Sequence, residues 1–295
     1  MIKTQTGSAS APRAVSGDGW IRRTGRAVLR PFLPVGGVEA AIELGSRLQR
    51  SAATGRRLLV EDLDSGADTA VVTALMARAL AHYRRDRVLA VSSTRREPSL
   101  ATRFGVEGPG ELGSRLDTTS FESAGESIGR VGDRLWTVWA DPDDVDAHTA
   151  GLLPLSRFFG VTLVEGESGS PFMTSARTDA HARVLVARAT RDAARRVGRA
   201  LDRADGDDAL ARIVVVLTEG LPREDRGFDG VHTAQVIADS GAAVLRLAHD
   251  RHVAQGSVVR PRRIREATHR TVLAVAAEAL VRAIDGSAHR DGRGR

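Results

Sequence analysis

Seven short runs rich in valine and leucine recur along this chain, and between most of them the apolar residues shift to helical spacing. The runs are RLLVEDL (57–63), DRVLAVSS (86–93), DRLWTVWA (133–140), GVTLVEG (160–166), ARVLVARA (182–189), ARIVVVLT (211–218) and AAVLRLA (242–248). Several are apolar at consecutive positions instead of alternate ones, as a strand covered on both faces requires. Helical patterns occupy 68–83, 144–159, 190–204, 229–241 and 267–284. Several of these open on Asp or Thr, whose side-chain oxygens can accept from first-turn N–H groups. Alternation of this kind specifies an α/β protein with a doubly wound, mostly parallel central sheet of about seven strands and helices on both faces. Such a sheet binds ligands beyond the C-terminal ends of its strands, where 61–70, 92–98, 165–171 and 218–224 would gather.

The 295 residues suffice for one large domain, and 42% hydrophobic with 27% charged residues is ordinary for a globular chain. No apolar run reaches the roughly 18 residues of a membrane-spanning helix. The first residues lack the apolar stretch of a signal peptide, so a cytoplasmic protein is expected. Cysteine is absent, which excludes disulfides, thiolate metal sites and thiol nucleophiles. Lys3 is the only lysine, so no lysine in the body can clamp a phosphate or form a Schiff base.

The charge is concentrated at one end. Residues 1–59 carry Lys3 and nine arginines against Asp18, Glu39 and Glu43, an excess of seven; because the whole chain carries +6, the remainder sums to −1. A broad nucleic-acid face on the body is therefore not expected. Residues 1–18 read as a disordered N-terminus and 19–57 as a basic helical extension. The α/β domain covers 58–286, and 287–295 form a flexible basic tail. Within 19–33, Ile21, Val28 and Phe32 lie opposite Arg22, Arg26 and Arg30. That basic amphipathic helix is expected to dock on the body, with an anionic membrane as the other partner its chemistry fits.

The stretch LLVEDLDSGADTAVVTALMARAL (58–80) reads as strand, turn and helix, the layout that presents a helix N-terminus to a phosphate. Its turn, however, carries Asp64, Gly66 and Asp68 where such loops have glycines and lysine. The helix end contributes about 0.3–1 kcal/mol toward an anion. Unit charges about 4 Å apart interact by roughly 4 kcal/mol at an effective dielectric of 20. On that balance the two carboxylates repel phosphate, and the turn is expected not to bind ATP.

Taken together, the order of elements resembles the MinD/ParA group of P-loop ATPases, most closely the MinD-like ATPases of actinobacterial type VII secretion. The resemblance rests on the GW-RR helix at 19–23, DRVLAV as second strand, and AHDRHVAQGSVVRPRRIREAT (248–268). That last stretch is similar to a family segment P-x-D-x-H-L-A-E-G-x-x-V followed by L-R-P-A-T, through Asp250, His252, Ala254, Gly256, Val258, Arg265, Ala267 and Thr268. Against the family loop K-G-G-x-G-K-T-T, Asp64 stands for the signature lysine and Ser65 for the first glycine. Gly66 is kept, Ala67 fills the free position, and Asp68 stands for the third glycine. Thr69 then replaces the phosphate lysine and Ala70 the magnesium-binding hydroxyl. A one-residue gap would instead put Asp68 at that lysine and Thr69 at the hydroxyl. The acid that positions the attacking water falls at Ser92 or Ser93. The switch aspartate falls at Glu165, with Gly169 in its turn, and the adenine-reading asparagine near Thr218.

The resemblance thus implies a P-loop fold whose nucleotide site has degenerated: no catalytic residue, no cofactor and no metal. The expected function is a regulatory or scaffolding partner, linked to type VII secretion, that meets an active paralogous ATPase, a secretion component or a second copy of itself. The alternative is an ATPase with a rebuilt site that uses ATP and magnesium. A nucleoid- or membrane-associated positioning protein is the third reading; nucleic acid is disfavoured by the charge balance.

Other signals weigh less. Asp62, Asp64 and Asp68 have partial calcium-loop spacing, but Thr73 stands where the bidentate Glu belongs. His249, Asp250 and His252 lack a further zinc ligand and read as a loop with surface histidines. Glu165 and Glu167 read as a relic of the family site, Arg95 and Arg96 as a solvated pair, and Trp136 and Trp139 as strand packing.

Overall fold

The computed structural model describes residues 35–64, 68–113, 116–204, 206–220 and 228–293. In chain order these form α1 (Val35–Leu48), β1 (Arg56–Asp62), α2 (Thr69–Tyr83), β2 (Val88–Ser93), α3 (Leu100–Phe104), β3 (Glu111–Leu112), α4 (Phe121–Ser127), β4 (Gly129–Gly132) and β5 (Leu135–Ala140). A π-helical turn (Ala147–Leu152) runs into α5 (Leu153–Ser156). There follow β6 (Val161–Glu167), α6 (Pro171–Thr178), β7 (Ala182–Arg188), α7 (Arg191–Asp202), α8 (Asp207–Leu210), β8 (Ile213–Thr218), α9 (Gly230–Ala238), β9 (Ala243–Leu247) and α10 (Glu266–Arg293).

All nine strands join one sheet in the order β3-β5-β2-β6-β1-β7-β8-β9, with β4 on β5 as the only antiparallel pair among the described residues. Leu58, Val60, Ala90, Leu163, Val184 and Val216 face one core with α1, α2 and α10. Their neighbours Leu59, Val91 and Val164 face a second core with α6 and the π-helical turn, and Leu185, Val215 and Leu217 a third with α7 and α9. The continuous apolar runs are therefore the mark of two covered faces. The helix starts follow the capping chemistry: Asp68 accepts from Val71 N–H, Thr190 from Ala193 N–H, and Asp229 from Val231 and His232 N–H.

Nine strands instead of about seven come from β3 and β4, which carry no apolar run. The segment before them folds by glycine: at Gly110, φ is 77° and a Cβ would lie 2.0 Å from Ser127 O. Helix α1 packs on α10 and α2, and Arg84 ties its end down by donating to Leu48 O and Arg50 O. The helix expected over 19–33 lies outside the described residues, and no described helix is long and apolar enough to cross a membrane.

Candidate functional site

Strands β1, β2 and β6 are neighbours, and their pairing sets Glu165 beside both Val60 and Ser92. Ser92 Oγ donates to Glu165 Oε1 at 2.7 Å. Glu165 is fully enclosed, and burial pushes its carboxyl up to about 7 against the Ser92 hydrogen bond, with the charges of Asp68 and Asp62 adding to the rise. A carboxyl in that state holds its proton through most of the acidic range and gives it up only near neutrality. Asp62, at the end of β1, is raised to about 6, again chiefly by burial; the Asp64 N–H and the Arg96 charge hold it back.

The two aspartates of the turn are not free carboxylates. Asp68 Oδ2 takes Arg103 Nη2 at 2.5 Å. Arg103, on α3, is 2% exposed and also donates to Val253 O and Ser257 O, which joins the turn, α3 and the loop after β9. Burial raises the Asp68 pKa, offset in part by Arg103 and the Val71 N–H. Asp64 lies between Arg196 Nη2 at 3.2 Å and Arg188 Nε at 3.5 Å. Arg96 Nη1 meets Asp62 at 2.7 Å and its Nε meets Glu167 at 3.0 Å. The repulsion expected from the sequence counted the carboxylates and missed the arginines that reach them from α3, β7, α7 and the β2 loop. Ser65, Gly66 and Ala67 lie outside the described residues; Thr69 and Ala70 are buried in the first turn of α2.

Sequence reasoning passed over Glu61. It is 0% exposed and takes Arg183 Nε at 2.5 Å, Arg177 Nη2 at 2.9 Å and Ser168 Oγ at 2.6 Å. Burial pushes its pKa up, but Arg183 and Arg177 outweigh that and the net shift is down. An acid inside an otherwise apolar strand run was the available signal.

Other residues singled out in the sequence have structural partners. Arg95 is exposed and Arg96 partly so, as a solvated pair would be, and each is also ion-paired: Arg95 bridges Asp141 at 2.5 Å and Asp143 at 2.8 Å. His252 is not a surface histidine but buried, and its Nε2 accepts from Arg260 N–H at 3.1 Å. Asp250 accepts from His252 N–H, Arg265 N–H and the Thr268 hydroxyl at 2.7–2.9 Å. Burial pushes its pKa up, and these donors bring it below the ordinary value. It fastens the loop after β9 to α10. Thr218 donates to Ala187 O at 3.3 Å, and Gly169 borders the cleft beside Asp64. Among the described residues no three His, Asp or Glu side chains form a metal-binding group.

No protein-family model and no curated protein sequence matches the chain. Solved structures do. A ParA family ATPase from Chlorobium tepidum TLS superposes with a TM-score of 0.57 at 15% identity, over 75% of this chain and 98% of that one. The MinC:MinD cell division protein complex of Aquifex aeolicus gives 0.51 at 14%, over 82% and 97%. The septum site-determining protein MinD of Pyrococcus horikoshii OT3, complexed with Mg-ADP, gives 0.50 at 14%, over 82% and 99%. The chain has the MinD/ParA-like P-loop fold. The expectation that it takes no cofactor is corrected by these neighbours, one of which holds Mg-ADP. Its physical premise fails as well, since Asp64 and Asp68 are each matched by arginine.

Proposed function

We propose that this protein is a regulatory or scaffolding partner built on the MinD/ParA-like fold, one that does not hydrolyse ATP and acts by engaging another protein. The observation that carries this reading is the Ser92–Glu165 pair at 2.7 Å. Attack on a phosphate is served by a side chain that faces the attacking water and orients it or takes its proton. Here the position that the resemblance gives to that side chain is a serine, and its hydroxyl is spent on a buried carboxyl raised to about 7. Neither phosphate-binding lysine exists to draw charge from the transition state.

Nucleotide fits this reading as a ligand more readily than as a substrate. Arg103, Arg188 and Arg196 already stand at the turn, and each could exchange its aspartate for a phosphate, which takes a guanidinium fork as a carboxylate does. Bound nucleotide would supply the negative charge that draws these arginines off Asp64 and Asp68. The chain's own part is to hold that charge and to pass the rearrangement to α3 and the loop after β9 through Arg103. The likeness to a MinC:MinD complex supports a protein partner in general. The sequence resemblance favours a paralogous ATPase or a component of type VII secretion, with a second copy of the chain as the simpler case. Phosphate release from ATP, with and without such a paralogue, tests the proposal. No release above the buffer rate, together with co-purification of the partner, supports it. Steady release that vanishes in Ser92→Ala would refute it.

A further inference from the structure

A cleft of about 640 Å³ opens on the sheet face opposite α2, where the ends of β1 and β6 meet α6 and α7. Arg96, Arg177, Arg183, Arg196, Arg199 and Arg203 line it. The carboxylates in its lining are Asp62, Asp64 and Glu167, which leaves a surplus of three positive charges. Each acid is committed: Asp62 and Glu167 share Arg96, and Asp64 takes Arg196. Under the floor, Glu61 occupies Arg177 and Arg183. Arg199 and Arg203 stand one helical turn apart on α7, both exposed, and among the described residues neither is in an ion pair. Arg196 precedes them on the same side of the helix, beside the core stripe of Ala193, Val197 and Leu201. Among the described residues the Nε–H groups of Arg177 and Arg196 also lack an acceptor.

We propose that this cleft binds a compact anion carrying two or more phosphate groups. Guanidinium forks match phosphate oxygens in pairs, and the surplus of two that remains once Glu61 is counted calls for more than one negative charge. Among the described residues no aromatic side chain lines the cleft, so it offers a base no aromatic platform. The phosphates are what is recognised, whether they come as free diphosphate or as the tail of a nucleotide. The concave shape and the near-neutral body favour a small ligand over a nucleic-acid strand. The proposal does not rest on the absence of ATP turnover, and either can fail without the other.

Calorimetry of the full chain with inorganic diphosphate at low salt tests it. Arms with ADP and with adenosine separate the phosphates from the base. Binding should weaken about tenfold or more in Arg199→Ala/Arg203→Ala, since two charge-assisted contacts are lost. It should persist in Arg195→Ala, a paired arginine elsewhere on α7. ADP that binds as diphosphate does supports recognition through phosphate. Absence of heat at millimolar diphosphate, full affinity in the double variant, or loss in Arg195→Ala would each overturn the assignment. So would binding of adenosine, or a single-stranded oligonucleotide that binds more tightly than diphosphate.

Discussion

Replacing Glu165 with glutamine should make this protein more stable above neutrality and leave it unchanged in acid. The carboxyl is fully enclosed, and its pKa stands at about 7 against an ordinary 4.5. At about 1.4 kcal/mol per pKa unit, that difference corresponds to roughly 3 kcal/mol of native-state cost once the group ionises. The folded value is the higher one, so the native form binds the proton more tightly than the unfolded chain does. The stability tied to the protonated carboxyl is whole below about pH 4.5 and is lost as pH rises to about 7. Glutamine keeps the shape and can still accept from Ser92 Oγ, but it never ionises. Urea unfolding across this range should give a variant-minus-wild-type difference near zero at about pH 4.5, growing to as much as roughly 3 kcal/mol by about pH 8. Asp62 titrates inside the same window in both proteins, so the difference reports Glu165 together with its coupling to Asp62. A difference independent of pH, or one that favours wild type in base, would refute the reasoning.

Arg103→Ala should cost roughly 3 kcal/mol in chemical denaturation, because it strands Asp68 and two carbonyls beside a buried hole; a loss below about 1 kcal/mol would show the clamp to be idle. Gly166→Ala should cost about 1–3 kcal/mol by thermal unfolding, since a Cβ would stand 2.7 Å from Ser93 O and 2.8 Å from Met173 Cγ. Asp250→Ala should cost about 2–4 kcal/mol and speed amide exchange in the loop after β9, as three donors lose one acceptor; unchanged exchange there would deny it a fastening role.

The fold was legible because its signal is local and repeated: each buried strand is an apolar run, and the capping aspartates and threonines stand at the helix starts. The two extra strands were not, because Glu111–Leu112 and Gly129–Gly132 are held by pairing with β5 and carry no pattern of their own. At the site, reading residues along the turn showed the two aspartates and missed the arginines paired with them. Asp64 and Asp68 looked repulsive because Arg103, Arg188 and Arg196 lie 35, 124 and 132 positions away from them. Spacing cannot show pairings that only the sheet's crossovers create. Glu61 illustrates the same limit from the other side: one acid in an apolar run was visible, but its arginine partners on α6 and β7 were not.

If this fold binds phosphate without hydrolysing ATP, phosphate release is where that will be seen. Millimolar ATP and magnesium with the full-length chain, read by malachite green beside a Ser92→Ala/Glu165→Gln control, should give the same baseline rate for both proteins. Turnover by the wild-type chain that disappears in the control would contradict the account and establish a rebuilt ATPase in its place.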